Sequence, residues 1–256
     1  MSASYLTEKL PITLTPDGIT VDEQMLLVTK TNSFLTRNLR KYYLSTSSVY
    51  QKVVYRTHWI EERFPGPLTA HNLKLKVTTL YADIVGIEFA KTKTIYSKDH
   101  PRFLEVLEGK GLLLLQQDTQ SLLDEATTYV VELTPETKTV IPPNWHYTLI
   151  NTGKETLATI ELYQGDQQLH NCNCDYKGTG VYVIERNGVP EIVKNSQYKN
   201  LVKYATVDPE TYATHFQMVP TLSLISQLPV VTVSCNNNIE CWKDILDGAN
   251  SSFNRF

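Results

Sequence analysis

The segment IPPNWHYTLINTG, residues 141–153, places one histidine in a short apolar run directly after a pair of prolines. Histidine is the commonest side-chain ligand of protein-bound metals, and at the mouth of a β-barrel it could hold a divalent ion. Successive residues of a strand face opposite sides of a sheet, so the chemistry open to His146 depends on its register. The elements around it must decide whether it points into a pocket.

These elements are short strands. From about residue 52 to 193 the chain consists of runs rich in Val, Ile, Leu, Thr and Tyr, separated by turn residues, which is typical of an all-β domain. The sequences Glu108-Gly109-Lys110-Gly111 and Asn187-Gly188 predict tight hairpins, because glycine adopts a positive φ without steric cost. Closing a sheet removes its exposed edges, so this pattern favours a jelly-roll barrel.

Three regions are predicted along the chain: an N-terminal arm at residues 1–45, the barrel at 46–200, and a C-terminal extension at 201–256. The extension has few large apolar side chains and would make a marginal core alone, so we expect it to pack on the barrel. Short helices are predicted within it, one capped by Asp208 and one within residues 239–248.

Composition excludes several classes of protein. The net charge is −3 with scattered Lys and Arg, which argues against a nucleic-acid partner. No apolar run is long enough to span a membrane, and no secretory signal is visible, so we expect a cytoplasmic protein, with the nucleus left open. Neither cysteine pair, Cys172 with Cys174 or Cys235 with Cys241, has zinc-ribbon spacing, and we expect reduced thiols.

A resemblance to a known family is carried by five segments in order: VVYRTHW, LKVTTLYADIVGIEF, EVLEGKGLLLLQQ, VIPPNWHYTLINTGKETLATIELY and DYKGTGVYVIERNGVPEIVKN. Over about residues 50–200 the chain resembles the cupin-type glucose-6-phosphate isomerases, which are metal-dependent isomerases of archaea and some bacteria. The resemblance implies an all-β cupin jelly-roll barrel and a homodimer paired through strands at one barrel edge.

The metal ligands of that family are missing here. Its members hold one divalent ion with two histidines of a Gly-His-x-His strand, a glutamate and a third histidine after the Pro-Pro corner. The resemblance puts the following residues at these positions: Ile95, Ser97, Arg102 and Tyr147. An aliphatic side chain cannot coordinate, a hydroxyl is a weak ligand, and a guanidinium repels a cation. We therefore expect no metal cofactor and no catalytic residue of the family's kind.

A relocated metal site is the alternative. Glu105 and His146, with His100 nearby, could hold one divalent metal such as Fe, Mn or Zn if two strands shifted register. Without a shift, His146 lies one place before the ligand position and points away from the pocket. The remaining histidines are interpreted as surface or structural residues: His58, His71, His170 and His215.

The resemblance also implies a sugar-phosphate pocket. Tyr55, Thr78 and Thr92 match residues that bind the sugar phosphate, Tyr163 matches a tyrosine of a later strand, and Asp175-Tyr176 matches part of a His-Asp-Tyr motif. Hydroxyl groups donate well to phosphate oxygens. Strand propensity alone would also supply these residues, so both explanations stay open.

Arg102 has two interpretations. A guanidinium at a former metal position could hold a carboxylate or phosphate through two parallel hydrogen bonds, which would turn a metal pocket into an anion pocket. A surface salt bridge is the other explanation, and the sequence favours it.

Two functions follow. The first is a degenerate, non-catalytic cupin, a pseudoenzyme of carbohydrate metabolism that binds a protein partner or a sugar phosphate or other small anion. Its 15 tyrosines suit contacts with a protein partner. The alternative is a sugar-phosphate isomerase with a rearranged site, which interconverts glucose 6-phosphate and fructose 6-phosphate.

Overall fold

The structure is a computed structural model that describes residues 10–45, 51–117, 125–165, 169–171, 178–199, 202–219, 221–236 and 242–255. Its strands, in chain order, are β1 (Ile12–Thr15), β2 (Gly18–Val21), β3 (Leu26–Leu35), β4 (Val53–Glu62), β5 (Leu73–Leu80), β6 (Ile84–Val85), β7 (Glu88–Phe89), β8 (Ile95–Ser97), β9 (Arg102–Glu108), β10 (Gly111–Gln117), β11 (Ala126–Leu133), β12 (Lys138–Ile141), β13 (Trp145–Asn151), β14 (Leu157–Gln164), β15 (Leu169–Asn171), β16 (Val181–Arg186), β17 (Val189–Lys194), β18 (Val202–Val207) and β19 (Asn250–Arg255). Its helices are α1 (Thr36–Leu39), α2 (Pro67–Ala70), α3 (Pro209–His215), α4 (Leu228–Asn236) and α5 (Trp242–Gly248), with 3-10 turns at Arg40–Tyr42 and Leu224–Gln227.

Two large sheets form the barrel. One has the strand order β12-β9-β14-β5-β4-β3, and the other has the order β15-β8-β13-β10-β11-β18-β19. From β8 to β14 the chain crosses repeatedly between them. Strands β9, β12 and β14 belong to the first sheet, and β8, β10, β11 and β13 belong to the second. The main apolar core is shared by both sheets, since it includes Val77 and Leu162 of the first and Leu113 and Leu149 of the second. The predicted all-β jelly-roll fold is confirmed.

Glycine-containing turns form where the sequence predicts them. Gly109 has φ of 84° between β9 and β10, and Asn187 and Gly188 have φ of 54° and 80° between β16 and β17. Positive φ at both central residues matches the right-handed twist of the flanking strands, which is why Asn-Gly is found there. The smaller sheet that contains this second hairpin has the order β17-β16-β7-β6.

The N-terminal region supplies an edge strand to the barrel. Within the predicted arm, Leu26–Leu35 forms β3 and pairs with β4 along almost its whole length. The β1–β2 hairpin precedes it, and the Cα of Gly18 in this hairpin lies close to the His58 ring. Residues of the arm therefore belong to the wall of the barrel.

The C-terminal extension adds two strands to the second large sheet. Strand β18 runs parallel to β11, and β19 pairs antiparallel with β18. Asp208 caps α3 by accepting hydrogen bonds from the Glu210 and Thr211 N–H groups, as its position before a proline predicts. Helix α3 packs against β12, and Phe216, directly after the helix, contacts Phe103 of β9 edge to face with ring centroids 6.4 Å apart. No helix of the described residues is long and apolar enough to cross a membrane.

The two turn glycines predict different costs of substitution by alanine. Gly109 and Gly188 both have positive φ, which is unfavourable for alanine. From this effect alone, Gly188→Ala should lower the free energy of unfolding by about 1–2 kcal/mol. A Cβ at Gly188 meets no atom within 4 Å, whereas one at Gly109 would lie 2.4 Å from the Thr156 carbonyl oxygen. Gly109→Ala should therefore lose about 1–3 kcal/mol more, as overpacking typically does. Denaturant unfolding measures both losses, and equal losses would contradict the steric explanation.

Candidate functional site

A cavity of about 630 Å³ lies inside the barrel between the two large sheets. Strands β3, β4, β5, β9 and β14 of the first sheet line one side of it, and β8 and β13 of the second line the other. Because both sheets contribute side chains, the strand registers decide which groups meet there.

Cross-strand pairing brings charged side chains together in this cavity. In the pairing of β5 with β14, Lys76 lies directly opposite Glu161, and in the pairing of β14 with β9, Tyr163 lies opposite Arg102. Side chains alternate along a strand, so Glu161 and Tyr163 face the same side of the sheet. The result is a compact group of polar side chains on three adjacent strands.

Glu161 is the centre of this group. Its Oε2 accepts a hydrogen bond from Arg102 Nε at 2.8 Å and one from the Tyr147 hydroxyl at 3.1 Å, while Oε1 lies 2.6 Å from Lys76 Nζ. All four side chains are buried, with at most 2% of their surface exposed. We call Lys76, Arg102 and Glu161 the ion cluster.

Burial and mutual attraction act against each other on the pKa values of the ion cluster. Burial lowers the pKa of Lys76 to about 8, because it disfavours the ammonium more than Glu161 stabilises it. Burial alone would raise the pKa of Glu161, but Lys76 and Arg102 outweigh it, so that this pKa is lowered. With all three groups ionised, two positive charges and one negative charge leave the cluster with a net charge of +1.

The guanidinium of Arg102 has unused donors. Its Nε is taken by Glu161, but Nη1 and Nη2 have no hydrogen-bond partner among the described residues. The guanidinium carbon lies 3.8 Å from the centroid of the Tyr163 ring, which is a stacking contact. Leaving buried donors unpaired costs about 1–3 kcal/mol each, so the site favours an acceptor at these nitrogens.

The residues predicted to bind a ligand all line the cavity, namely Tyr55, Thr78, Thr92, Arg102 and Tyr163. Thr92 Oγ1 accepts a hydrogen bond from the Leu149 N–H at 3.0 Å, and the Tyr55 hydroxyl is hydrogen-bonded to the Lys93 backbone. A hydroxyl that accepts from a backbone N–H keeps its own proton, so both groups can still donate to a ligand.

The four positions that correspond to the metal ligands of the cupin-type isomerases lie in or beside the cavity. Ile95, Arg102 and Tyr147 line it, and Ile95 pairs with Tyr147 across β8 and β13. Ser97 is buried beyond the lining, and its hydroxyl donates to the His100 carbonyl. The interpretation of Arg102 as a surface salt-bridge residue is wrong, because its side chain is fully buried.

The residues of the relocated site are not brought together. His146 pairs with Gln116 of β10 and packs edge-on against Tyr96 with ring centroids 5.3 Å apart. The Glu105 carboxylate lies 3.6 Å from Lys138 Nζ and accepts a hydrogen bond from the Leu224 N–H. Neither residue lines the cavity. Across the ranges that the structure describes, no group of three His, Cys, Asp or Glu residues is arranged to hold a metal ion.

The other histidines make local contacts. His58 lies 3.0 Å from Thr31 Oγ1, His71 lies 3.2 Å from Thr232 Oγ1, His170 stacks on Tyr96, and His215 contacts Phe216. Of the residues of the sequence predictions, the following lie outside the described residues: Cys172, Cys174, Asp175, Tyr176 and Cys241. For Cys235 the structure describes the backbone.

Sequence reasoning missed Lys76, Glu161, Lys93 and Thr57, which all line the cavity. Thr57 lies opposite Thr78, and its buried hydroxyl has no partner among the described residues. A signal was present, because Lys74, Lys76 and Thr78 alternate with apolar residues in β5. Such alternation usually marks a solvent face, but here the polar row faces the cavity between the two large sheets.

Comparison with known proteins identifies the fold's relatives. The model of the family described as glucose-6-phosphate isomerase (GPI) matches residues 44–200, which is more than half of the chain. The chain belongs to this family. Glucose-6-phosphate isomerase of Pyrococcus horikoshii is 27% identical over 195 residues, covering 72% of this chain and 98% of that protein. The enzyme of Thermococcus litoralis is 30% identical over 149 residues, covering 57% of this chain and 73% of that protein.

Solved structures with a similar chain include the coconut allergen cocosin, at 12% identity and a TM-score of 0.35, covering 56% of this chain and 36% of that chain. Oxalate decarboxylase from Bacillus subtilis is 11% identical with a TM-score of 0.33, covering 46% of this chain and 28% of that chain.

We predict that loss of the buried Glu161 carboxylate destabilises the protein more than loss of the exposed Glu191 carboxylate. Glu161→Gln leaves two buried cations without their counter-charge, which should cost about 3–5 kcal/mol of unfolding free energy. The matched control is Glu191→Gln, which removes the partner of Arg186 in a solvent-exposed pair and should cost less than about 1 kcal/mol. Denaturant unfolding compares the two variants, and similar losses would argue against a central role for Glu161.

Proposed function

We propose that this chain is a metal-independent member of the glucose-6-phosphate isomerase family that binds a sugar phosphate or a similar small anion inside its barrel. The observation that carries the proposal is the ion cluster, in which Arg102 and Lys76 place two fixed cations in the cavity. On this proposal the protein retains the family's ligand pocket without its metal chemistry.

The donor set supports the absence of a metal. Ile95 offers no lone pair, and Tyr147 uses its hydroxyl to donate to Glu161. A divalent ion beside Arg102 and Lys76 would meet two positive charges in a medium of low dielectric, where repulsion is strong. The only carboxylate within the ion cluster, Glu161, is already engaged by both cations.

The charge of the cavity supports an anionic ligand. The charged side chains that line it are the cations Lys30, Lys74, Lys76, Lys93 and Arg102 and the carboxylates Glu61 and Glu161. Five positive and two negative groups give the lining a formal charge of +3. Low-dielectric walls concentrate such a field and attract an anion into the cleft.

A second candidate is the isomerase with a rearranged site, and the lowered pKa of Lys76 favours it. Isomerisation needs a base near the C2 proton of the sugar and a donor that stabilises the developing oxyanion. Lys76, with a pKa of about 8, is matched to proton transfer near neutral pH. Arg102, whose Nη1 and Nη2 have no hydrogen-bond partner among the described residues, could donate to such an oxyanion.

Binding without metal is the first expectation. After treatment with a chelator, the purified protein should bind glucose 6-phosphate but not glucose in calorimetry, because the cavity selects for negative charge. Elemental analysis should find no stoichiometric divalent metal, and added Mn²⁺, Fe²⁺ or Zn²⁺ should give no isomerase activity.

Other outcomes separate the alternatives. Turnover that survives the chelator, is lost in Lys76→Met and persists in His146→Ala would establish the rearranged isomerase, since His146 lies outside the cavity lining. One bound equivalent of metal would contradict the proposal. A folded protein that binds no sugar phosphate would favour a role in binding a protein partner.

Affinity for glucose 6-phosphate should also depend on pH. An anion binds better when Lys76 is protonated, and its pKa of about 8 means that this charge is lost as the pH rises from 7 to 9.5. The phosphate is already a dianion over this range, so affinity should fall with rising pH. Calorimetry should show this fall in the native protein, whereas Lys76→Met should bind more weakly at pH 7 and lose less affinity as the pH rises. A flat profile in the native protein would rule out this contribution of Lys76.

A further inference from the structure

Strand β3 stands at the end of the first large sheet, and its outer edge is open. It pairs with β4 on one side, and no other strand of the described ranges pairs with it. The consecutive residues Leu27–Thr31 are all exposed, so side chains on both faces of the strand reach the surface. An open edge carries unpaired N–H and C=O groups, which can pair with a further strand.

Two irregularities limit the part of this edge that can pair regularly. The register of β3 against β4 shifts between Val28 and Lys30 and again between Phe34 and Leu35. Between these shifts, the five residues Lys30–Phe34 pair one by one with β4. Bulges and an edge lysine are common devices against uncontrolled pairing of whole sheets. The regular stretch spans about 17 Å, which suits a short peptide better than a second sheet.

A groove of about 410 Å³ runs along this regular stretch. Thr31–Phe34 line the groove. Because successive residues face opposite sides of a sheet, a groove that touches all four must lie at the edge of the strand. Its other wall is formed by Asn38, Lys41 and Tyr42, from the helical turns that follow β3, together with Lys93. A peptide strand laid in this groove would therefore be the next strand of the sheet.

The charge around the groove is positive. Lys41 and Lys93 line it, and no Asp or Glu is among its described lining residues. Residues 24–60 contain six Lys or Arg and no Asp or Glu, although the whole chain has a net charge of −3. Arg37 and Arg40 are exposed on the helical turns that form one wall. This excess of positive charge favours an acidic occupant.

We propose that an extended acidic segment of another protein docks in this groove and adds a strand to β3 along Lys30–Phe34. Main-chain hydrogen bonds to the strand edge supply affinity, and Asp and Glu side chains beside Lys41 and Lys93 select for negative charge. The backbone pairing distinguishes this occupant from a nucleic acid, which has no peptide groups to offer the edge. Docking at this edge does not depend on the binding of a sugar phosphate in the cavity.

The test uses a fluorescent synthetic peptide in which Asp and Glu alternate with Val and Thr. Fluorescence anisotropy measures its binding to the whole chain. A second peptide has Lys at every acidic position, and a third probe is a single-stranded oligothymidylate of the same net charge as the acidic peptide. We expect the acidic peptide to bind at least about tenfold more tightly than either of the other probes.

Backbone pairing has a test of its own. An added strand uses the N–H groups of alternate residues, because those of the other residues point away from the edge. Two further versions of the acidic peptide carry N-methyl groups on either its odd or its even residues, so one version should lose binding and the other should keep it. Hydrogen exchange in Lys30–Phe34, measured by mass spectrometry, should slow when the unmethylated peptide is added.

Two variants separate the charge of the groove from that of the cavity. Arg40→Gln combined with Lys41→Gln removes two cations that do not line the cavity. This double variant should weaken binding of the acidic peptide about fivefold and leave the affinity for glucose 6-phosphate unchanged. Lys154→Gln makes the same kind of change at an exposed lysine that lines neither space, and it should change neither affinity.

Several results would overturn the proposal. They are no binding of the acidic peptide, equally tight binding of oligothymidylate, the same behaviour of both methylated peptides, and equal losses in Lys154→Gln and the double variant. A native dimer that protects Lys30–Phe34 from exchange and excludes the peptide would assign the edge to a second copy of the chain. If the double variant does not fold, the methylated peptides with the native protein decide. Glucose 6-phosphate binding is measured separately, so the proposed function stands or falls by itself.

Discussion

The carboxylate of Glu161 forms ion pairs with two buried cations, Lys76 and Arg102, inside this barrel. Without it, Lys76 and Arg102 would be two like charges on side chains that are almost fully buried. A buried ion pair seldom contributes much net stability, since desolvation offsets the attraction. The cluster therefore suits a role in specificity better than one in stability, because it fixes the positions of a guanidinium, an ammonium and a phenol at one end of a ligand cavity.

This arrangement changes the kind of chemistry that the family's barrel can support. A metal ion polarises substrate oxygens through exchangeable coordination positions, and it can be removed or replaced. The cations of Lys76 and Arg102 are covalently tethered and directional, and they recognise shape and charge. Hydroxyl groups along the cavity wall suit a polyhydroxy ligand, so under the proposed function the pocket keeps the family's class of ligand without its metal-dependent reaction.

Local signals were enough to predict much of the fold, but the site depends on pairing between distant segments. The turns at Gly109 and Asn187-Gly188 and the helix cap at Asp208 follow from short-range chemistry. The contact between Lys76 and Glu161 does not, because it requires the register of β5 against β14. Family resemblance placed Arg102 at a ligand position, yet its burial could be seen only once Tyr163 and Glu161 lay beside it. Strand β3 was missed as part of the barrel because most of its residues are exposed and its apolar pattern is weak.

Strands from outside residues 44–200, the segment matched by the family model, cover one edge of each large sheet. Strand β3 shields one side of β4, and β18 shields one side of β11. A fragment trimmed to the matched segment would leave two rows of bare peptide groups, which are templates for uncontrolled self-association. The two large sheets therefore extend beyond the segment that the family model matches, and we expect that a stable barrel needs both flanks.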